Sequence, residues 1–371
     1  MTYREQEKLE SKNKKTFDSN GKKILLVGGN ESIGVPCAVY GKNKKGFMEI
    51  VADYLKENGM TVDTINMFSM FVNKSWHIDE ILKHNLSLEE IKNIKKASIV
   101  VNRKDLFNKI FLPKSLENLD EVKKFDDKLH VTDLIKSYEN VVTFYQSGSN
   151  NLMYEMQASP INSVLDKNMR ARALEEMNDS RTINKVISGM DKNINNLLSI
   201  NNDMELYVLS LYVPKLFSKL SKHNDEFKIM ADFINRFNDS VRNLANSNMV
   251  NYVDISSVGE YCAKFGMDFH CTRKGHEHLA RLVLNGMDNN HKGMIIPNRK
   301  LEIDDKGLDG MLEEAHARLN SYEKAKQNDA YENTILSSFS DSDQKGLCDS
   351  LIREHSNEIE VFRLAQNLKH K

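Results

Sequence analysis

An α/β fold, with helices on both faces of a largely parallel sheet, is predicted by three features of this 371-residue chain. The first is the apolar run Ile24-Leu25-Leu26-Val27, entered from Lys22-Lys23 and left through Gly28-Gly29. A strand without polar alternation is buried on both faces, as strands of parallel sheets are. The second is the helical spacing of Phe47, Ile50, Val51, Tyr54 and Leu55, stopped by Asn58-Gly59 before the strand-like Thr61-Val62-Asp63-Thr64-Ile65. Together these make a β-α-β unit. The third is continued alternation: strand candidates at 97–101, 141–145, 206–212 and 252–255 are separated mostly by helical patterns, as expected of a doubly wound sheet.

Long helical insertions are expected at 77–96, 102–140 and 160–200, rich in Lys, Asn, Asp and Glu, whose charged faces read as solvated surface. After about Arg299 the strand signals stop, and 308–328 and 341–369 read as charged amphipathic helices flanking the Ser-rich stretch Ser337 to Ser342. Three regions follow. Residues 1–21 form a polar leader with too little apolar surface to offset its ordering entropy. Residues 22–299 form the α/β domain, and 300–371 a helical extension. The extension's helices are expected to pack on their own domain, with contact to a protein partner or a membrane surface as the alternative.

Composition excludes several function classes. The 52 basic and 53 acidic residues leave a net charge of −1, so no global field attracts nucleic acid or an anionic membrane. Cys37, Cys262, Cys271 and Cys348 are scattered and form no CxxC pair, which speaks against a disulfide framework or a zinc knuckle. The leader lacks an apolar core, and no run of about 18 apolar residues occurs elsewhere. The expectation is a cytoplasmic protein, or one exported without a conventional signal peptide.

Three segments can carry chemistry. Gly28-Gly29-Asn30-Glu31-Ser32-Ile33-Gly34 lies at the exit of the first strand, where small residues let backbone N–H groups face a ligand. It is not a P-loop, because Val35-Pro36 stand where lysine and a hydroxyl residue belong; it has no GxGxxG; and Asn30 breaks the nucleophile-elbow pattern GxSxG. Gly148-Ser149-Asn150-Asn151 follows the 141–145 strand and offers an amide donor for a developing oxyanion. Asp268-Phe269-His270 opens a loop that runs into a helix, with an acid two residues from a histidine that it can orient as a general base. His276-Glu277-His278 is not HExxH, since Ala280 stands in place of the second histidine, and no metal site is expected.

In this order, the segments resemble the conserved blocks of the SGNH/GDSL esterases and lipases over roughly residues 23 to 286. That family opens with a strand ending in Gly-Asp-Ser, continues with a GxND block after a middle strand and closes with a DxxH block before the last helix. The counterparts are Glu31-Ser32-Ile33-Gly34, Gly148-Ser149-Asn150-Asn151 and the segment around His270, whose spacing to Gly275-His276 also matches. Lys45-Gly46-Phe47 is similar to the start of the family's first helix, and Tyr252 to Ile255 to its penultimate strand.

The resemblance implies a three-layer, flavodoxin-like fold and a serine ester hydrolase, either an esterase or lipase or an acyltransferase, needing no cofactor. Its substrate would be a small-molecule or lipid ester. Ser32 would be the nucleophile, His270 the base and Asp268 the orienting acid, with Asn150 and the Met70 backbone completing the oxyanion hole. The chain departs from the pattern in four places. Two extra residues precede Ser32, so an ungapped alignment sets Asn30 in the nucleophile position; the gapped one keeps the Ser-small-apolar turn and the distance to Phe47. Met70 stands for a glycine, Asn151 for an aspartate, and Asp268 lies one residue nearer the histidine than usual. These departures support an alternative: a catalytically inactive binding module on the same fold, including one exported as an effector.

Overall fold

The computed structural model describes residues 23–28, 46–66, 81–90, 125–126, 128–146, 167–213, 225–261, 273–290 and 307–331, with positions 218, 221 and 222 and part of 345–363. Five strands form one sheet: β1 (Ile24–Gly28), β2 (Val62–Asn66), β3 (Asn140–Tyr145), β4 (Glu205–Leu209) and β5 (Asn251–Val253). All neighbours are parallel, in the order β2-β1-β3-β4-β5. Each strand coincides with a predicted one, and the candidate at 97–101 lies outside the described residues. The helices are α1 (Phe47–Glu57), α2 (Val131–Lys136), α3 (Lys167–Asn178), α4 (Ser180–Ile200), α5 (Asp225–Ser247), α6 (Arg273–Asn290) and α7 (Gly307–Asn328), with a 3-10 turn at Ser256–Tyr261.

Strand alternation sorts the core into two layers. Ile24 and Leu26 of β1, Val142 and Phe144 of β3, and Tyr207 and Leu209 of β4 pack with Phe47, Val51 and Leu55 of α1 and with Leu279, Val283 and Leu284 of α6. The Phe47 ring meets Phe144 edge-on at 5.7 Å between centroids. On the other face Leu25, Val27, Val141, Tyr145, Leu206 and Val208 pack with Leu134 of α2, Ile194 and Leu197 of α4, and Phe233 and Phe237 of α5. Ala315 of α7 and Ile359 belong to this second layer, so the C-terminal extension packs on the sheet's own core. Each fully buried aliphatic or aromatic side chain contributes about 1.5–3 kcal/mol. Among the described residues, no helix is long and apolar enough to cross a membrane.

Local chemistry explains the helix ends. Glu49 accepts from the Gly46 N–H at 2.7 Å and starts α1. At its end Met60 N–H donates to the Leu55 carbonyl and Gly59 N–H to that of Lys56, both at 3.0 Å, with Gly59 at φ +84°. This is the Schellman closure announced by Asn58-Gly59. The insertions are more broken than their patterns suggested. Within 81–90 the expected helix is interrupted at Asn85, φ +47°, and restarts where Ser87 and Glu90 bond reciprocally, Ser87 N–H to Glu90 at 2.7 Å and Glu90 N–H to Ser87 Oγ at 3.2 Å. Asp179 breaks 160–200 in two, its side chain accepting from the Arg181 N–H at 2.8 Å at the start of α4.

The end of α5 repeats the Schellman pattern without a glycine. Val250 N–H donates to the Ala245 carbonyl at 3.0 Å and Met249 N–H to that of Asn246 at 3.1 Å, which places Met249 at φ +53° and leaves its side chain 45% exposed. A side chain in this region costs about 1–2 kcal/mol, partly offset by the chain entropy that glycine loses. Met249→Gly is expected to raise stability by roughly 0.5–1 kcal/mol, read as a higher midpoint in urea unfolding.

Candidate active site

Strand order reverses at β1. The chain leaves it for β2 on one side and later lays β3 on the other, with α1 on one face and α2 on the other, so the carboxyl ends of β1 and β3 form the switch point at which open α/β sheets bind ligands. Parallel pairing, with Val27 opposite Thr143, makes β1 and β3 leave the sheet at the same edge. The amino-terminal half of the sheet is tied by internal contacts instead. Tyr138 donates to Asp63 at 2.7 Å, and Lys23 Nζ lies 3.9 Å from the same carboxylate. Burial and then this hydrogen bond hold the Tyr138 phenol well above its ordinary pKa.

At the carboxyl ends of β4 and β5, side chains take over from strand pairing. Ser210 N–H still donates to the Val253 carbonyl at 3.1 Å, but its Oγ accepts from the Ile255 N–H at 2.8 Å. Asn238 of α5 then donates to the Leu211 carbonyl and accepts from the Leu211 N–H, each at 2.7 Å, acting as a peptide group of a missing strand. Asp254 accepts from the Ser256 N–H at 2.9 Å and begins the 3-10 turn. These bonds end β4 and β5 earlier than the apolar runs 206–212 and 252–255 suggested. The turn comes so close to the chain after β4 that a Cβ on Gly259 would stand 2.1 Å from the Val213 carbonyl oxygen. Between them and α5 lies a cleft of about 210 Å³, walled by Asn235, Ser257 and Glu260 among others.

His278 of α6 is 6% exposed. Its Nδ1 lies 2.7 Å from Arg281 Nη2 and its Nε2 2.8 Å from Ser257 Oγ. A guanidinium only donates, so Nδ1 holds the lone pair and the neutral ring carries its proton on Nε2, which donates to Ser257. Burial, then the Arg281 charge, pushes the His278 pKa down to about 4. With Nε2 protonated, His278 cannot remove a proton from Ser257. The pair is a clasp between the 3-10 turn and α6, the two elements that flank residues 262–272.

The candidates Ser32, its alternative Asn30, and Met70, Asn150, Asp268 and His270 all lie outside the described residues. The elements that precede or follow them are described. Ser32 comes four residues after the end of β1, Met70 four after β2, Asn150 five after β3, and His270 three before α6. The strands β2, β1 and β3 that lead to the first three are consecutive neighbours. Among the described residues, no three His, Cys, Asp or Glu side chains cluster so as to hold a metal ion. Two features carried no motif: the Ser257–His278 clasp, and Gln146. The latter directly follows β3, is 5% exposed, and has no hydrogen-bond partner for its Oε1. A polar residue closing an apolar strand at its carboxyl end was the available signal for it.

No protein-family model matches the chain, and no curated protein matches it. Among solved structures, it is similar to a family 3 carbohydrate esterase of Clostridium thermocellum, with TM-score 0.38 and 11% identity over 72% of this chain and 94% of the other. It is also similar to Axe2, an acetylxylan esterase from Geobacillus stearothermophilus, with TM-score 0.41 and 10% identity over 75% and 98% of the two chains. These likenesses are distant.

The His278 clasp has a pH signature. Because its folded pKa lies below that of the unfolded chain, about 6.5, the unfolded state binds the extra proton between these values, and stability falls as pH drops from about 6.5 toward 4. The limiting slope from one such group is about 1.4 kcal/mol per pH unit. Urea unfolding at pH 7 and pH 5 is expected to show a smaller loss of stability for His278→Gln than for the natural chain.

Proposed function

We propose that the chain is a serine ester hydrolase of the SGNH/GDSL type, acting through an acyl-enzyme on Ser32. The observation that carries this reading is the strand order. β2, β1 and β3 lie side by side and release at one edge the three segments in which the sequence blocks place Met70, Ser32 and Asn150. The order of those blocks along the chain and the helix α6 following His270 support it further.

In this mechanism Ser32 Oγ attacks the ester carbonyl carbon while His270 takes the hydroxyl proton, and Asp268 stabilises the imidazolium. The oxyanion is held by the Asn150 amide and by the backbone N–H groups of Ser32 and Met70. On collapse the C–O bond breaks, and His270 gives its proton to the departing alcohol. Water, deprotonated by His270, then releases the acid; a second alcohol in its place would make the reaction an acyl transfer.

Ser32→Ala is expected to abolish turnover of a p-nitrophenyl ester and covalent labelling by a fluorophosphonate. Asn150→Ala should lower kcat by about 10²–10³-fold, the usual cost of losing one oxyanion donor. Undiminished turnover in Ser32→Ala would overturn the assignment. A natural chain that is neither labelled nor active would favour an inactive binding module.

A further inference from the structure

We propose that Asn58 is a site of spontaneous covalent modification, deamidation through a cyclic imide, and that the last turn of α1 sets its rate. The proposal is independent of the hydrolase reading. In this reaction hydroxide takes the proton of the following peptide N–H, and that nitrogen attacks the asparagine Cγ. The Cγ–Nδ2 bond breaks, and the amide leaves as ammonia after taking a proton from water. Water then opens the five-membered imide at either carbonyl, giving aspartate or, with the main chain rerouted through the side chain, isoaspartate. A following glycine favours the reaction, because it has no Cβ to crowd the ring. Two such pairs lie among the described residues, Asn58-Gly59 and Asn285-Gly286, and both are followed by Met. Their intrinsic chemistry is therefore alike, and the environment decides between them.

Ring closure needs the asparagine Cβ and the next peptide nitrogen on the same side of the Cα–C bond. At ψ 18° it is the backbone nitrogen of Asn58 itself that faces the Gly59 nitrogen, and Cβ is turned away. Both reacting groups are also occupied. Gly59 N–H donates to the Lys56 carbonyl at 3.0 Å, and Asn58 Nδ2 donates to the Tyr54 carbonyl at 2.7 Å. The closed turn thus blocks the reaction, yet little packing holds it closed. Lys56, Glu57, Asn58 and Gly59 are all exposed, and a Cβ on Gly59 would meet no atom within 4 Å. Exposed helix ends with few packed neighbours open at small cost in free energy. Asn285 is exposed too, but it lies inside α6, where Val283, Leu284 and Met287 are each 0% exposed. The backbone there is pressed against β5: a Cβ on Gly286 would stand 3.0 Å from Val253 Cγ2. Freeing the ring-forming atoms at Asn285 requires taking α6 off the sheet, whereas at Asn58 one frayed turn suffices. The change is also one-way. Isoaspartate inserts a methylene into the main chain, so Met60 N–H no longer meets the Leu55 carbonyl in register, and either product sets a carboxylate at the negative end of the helix dipole.

The test follows both sites in the natural chain, kept folded at mildly alkaline pH and, in parallel, unfolded in urea. Mass spectrometry of the peptides that contain each asparagine reads the conversion, with chromatography separating aspartate from isoaspartate. Hydrogen exchange of the Met60 N–H in the folded chain measures opening of the same turn. In urea the two sites should convert within about twofold of each other, whereas in the folded chain Asn58 should convert at least about tenfold faster than Asn285. The slowing of Asn58 on folding should match the protection of the Met60 N–H within about threefold, because one opening controls both. Equal rates at the two sites in the folded chain would overturn the proposal, since global unfolding would then control them. Conversion of Asn58 as fast in the folded chain as in urea would overturn it too, as would a slowing that does not follow the Met60 protection.

Discussion

The structure depends on the burial of β1 from both sides. Ile24, Leu25, Leu26 and Val27 are each at most 3% exposed, so apolar layers must cover both faces and strands must flank both edges. A parallel sheet whose connections run first to one face and then to the other satisfies this. The order β2-β1-β3 follows, and with it the divergence of helices to opposite faces that makes the carboxyl ends of β1 and β3 a topological switch point. The same apolar run that lies at the centre of the core thus also fixes where the switch point falls.

The two edges of the sheet are treated differently. Toward the amino-terminal side, Asp63 is engaged by Tyr138 and Lys23. At the carboxyl side, backbone groups released from strand pairing are captured one by one, by Ser210, Asn238 and Asp254. These bonds prevent β4 and β5 from extending and turn the chain into the 3-10 segment. The His278 clasp then ties that segment to α6. Both flanks of residues 262–272, which include Asp268 and His270, are held to the sheet in this way. Gln146, directly after β3, keeps a buried acceptor without a hydrogen-bond partner.

Where the chemistry is local, the fold was legible in the sequence. The Schellman end of α1 is announced by Asn58-Gly59, and the centres of the strands by uninterrupted apolar runs. Where the determinant is a partner distant in sequence, the pattern misleads. The run 206–212 continues to look like a strand through Tyr212, yet pairing stops after Leu209 because Asn238, 27 residues beyond Leu211, takes the place of a strand. The αL residue at Met249 carried no glycine to mark it. The break in 81–90 was written as Ser87-x-x-Glu90 but was outweighed by the helical periodicity around it.

The candidate site divides along the same line. The sequence by itself supplied the candidates for the chemistry, Ser32, Asn150 and His270, and their order along the chain, because each is read from a pattern of only a few residues. It also determined the parallel α/β class, because a strand that is apolar on both faces has few other ways to be buried. Only the tertiary structure decided that β1 and β3 are neighbours and release their loops at one edge. It alone decided that His278 is a proton-bearing clasp and no base, since the tautomer is set by Arg281 and Ser257 converging on one ring. Burial and hydrogen-bond satisfaction are properties of what surrounds a side chain, and that environment exists only once the chain has folded.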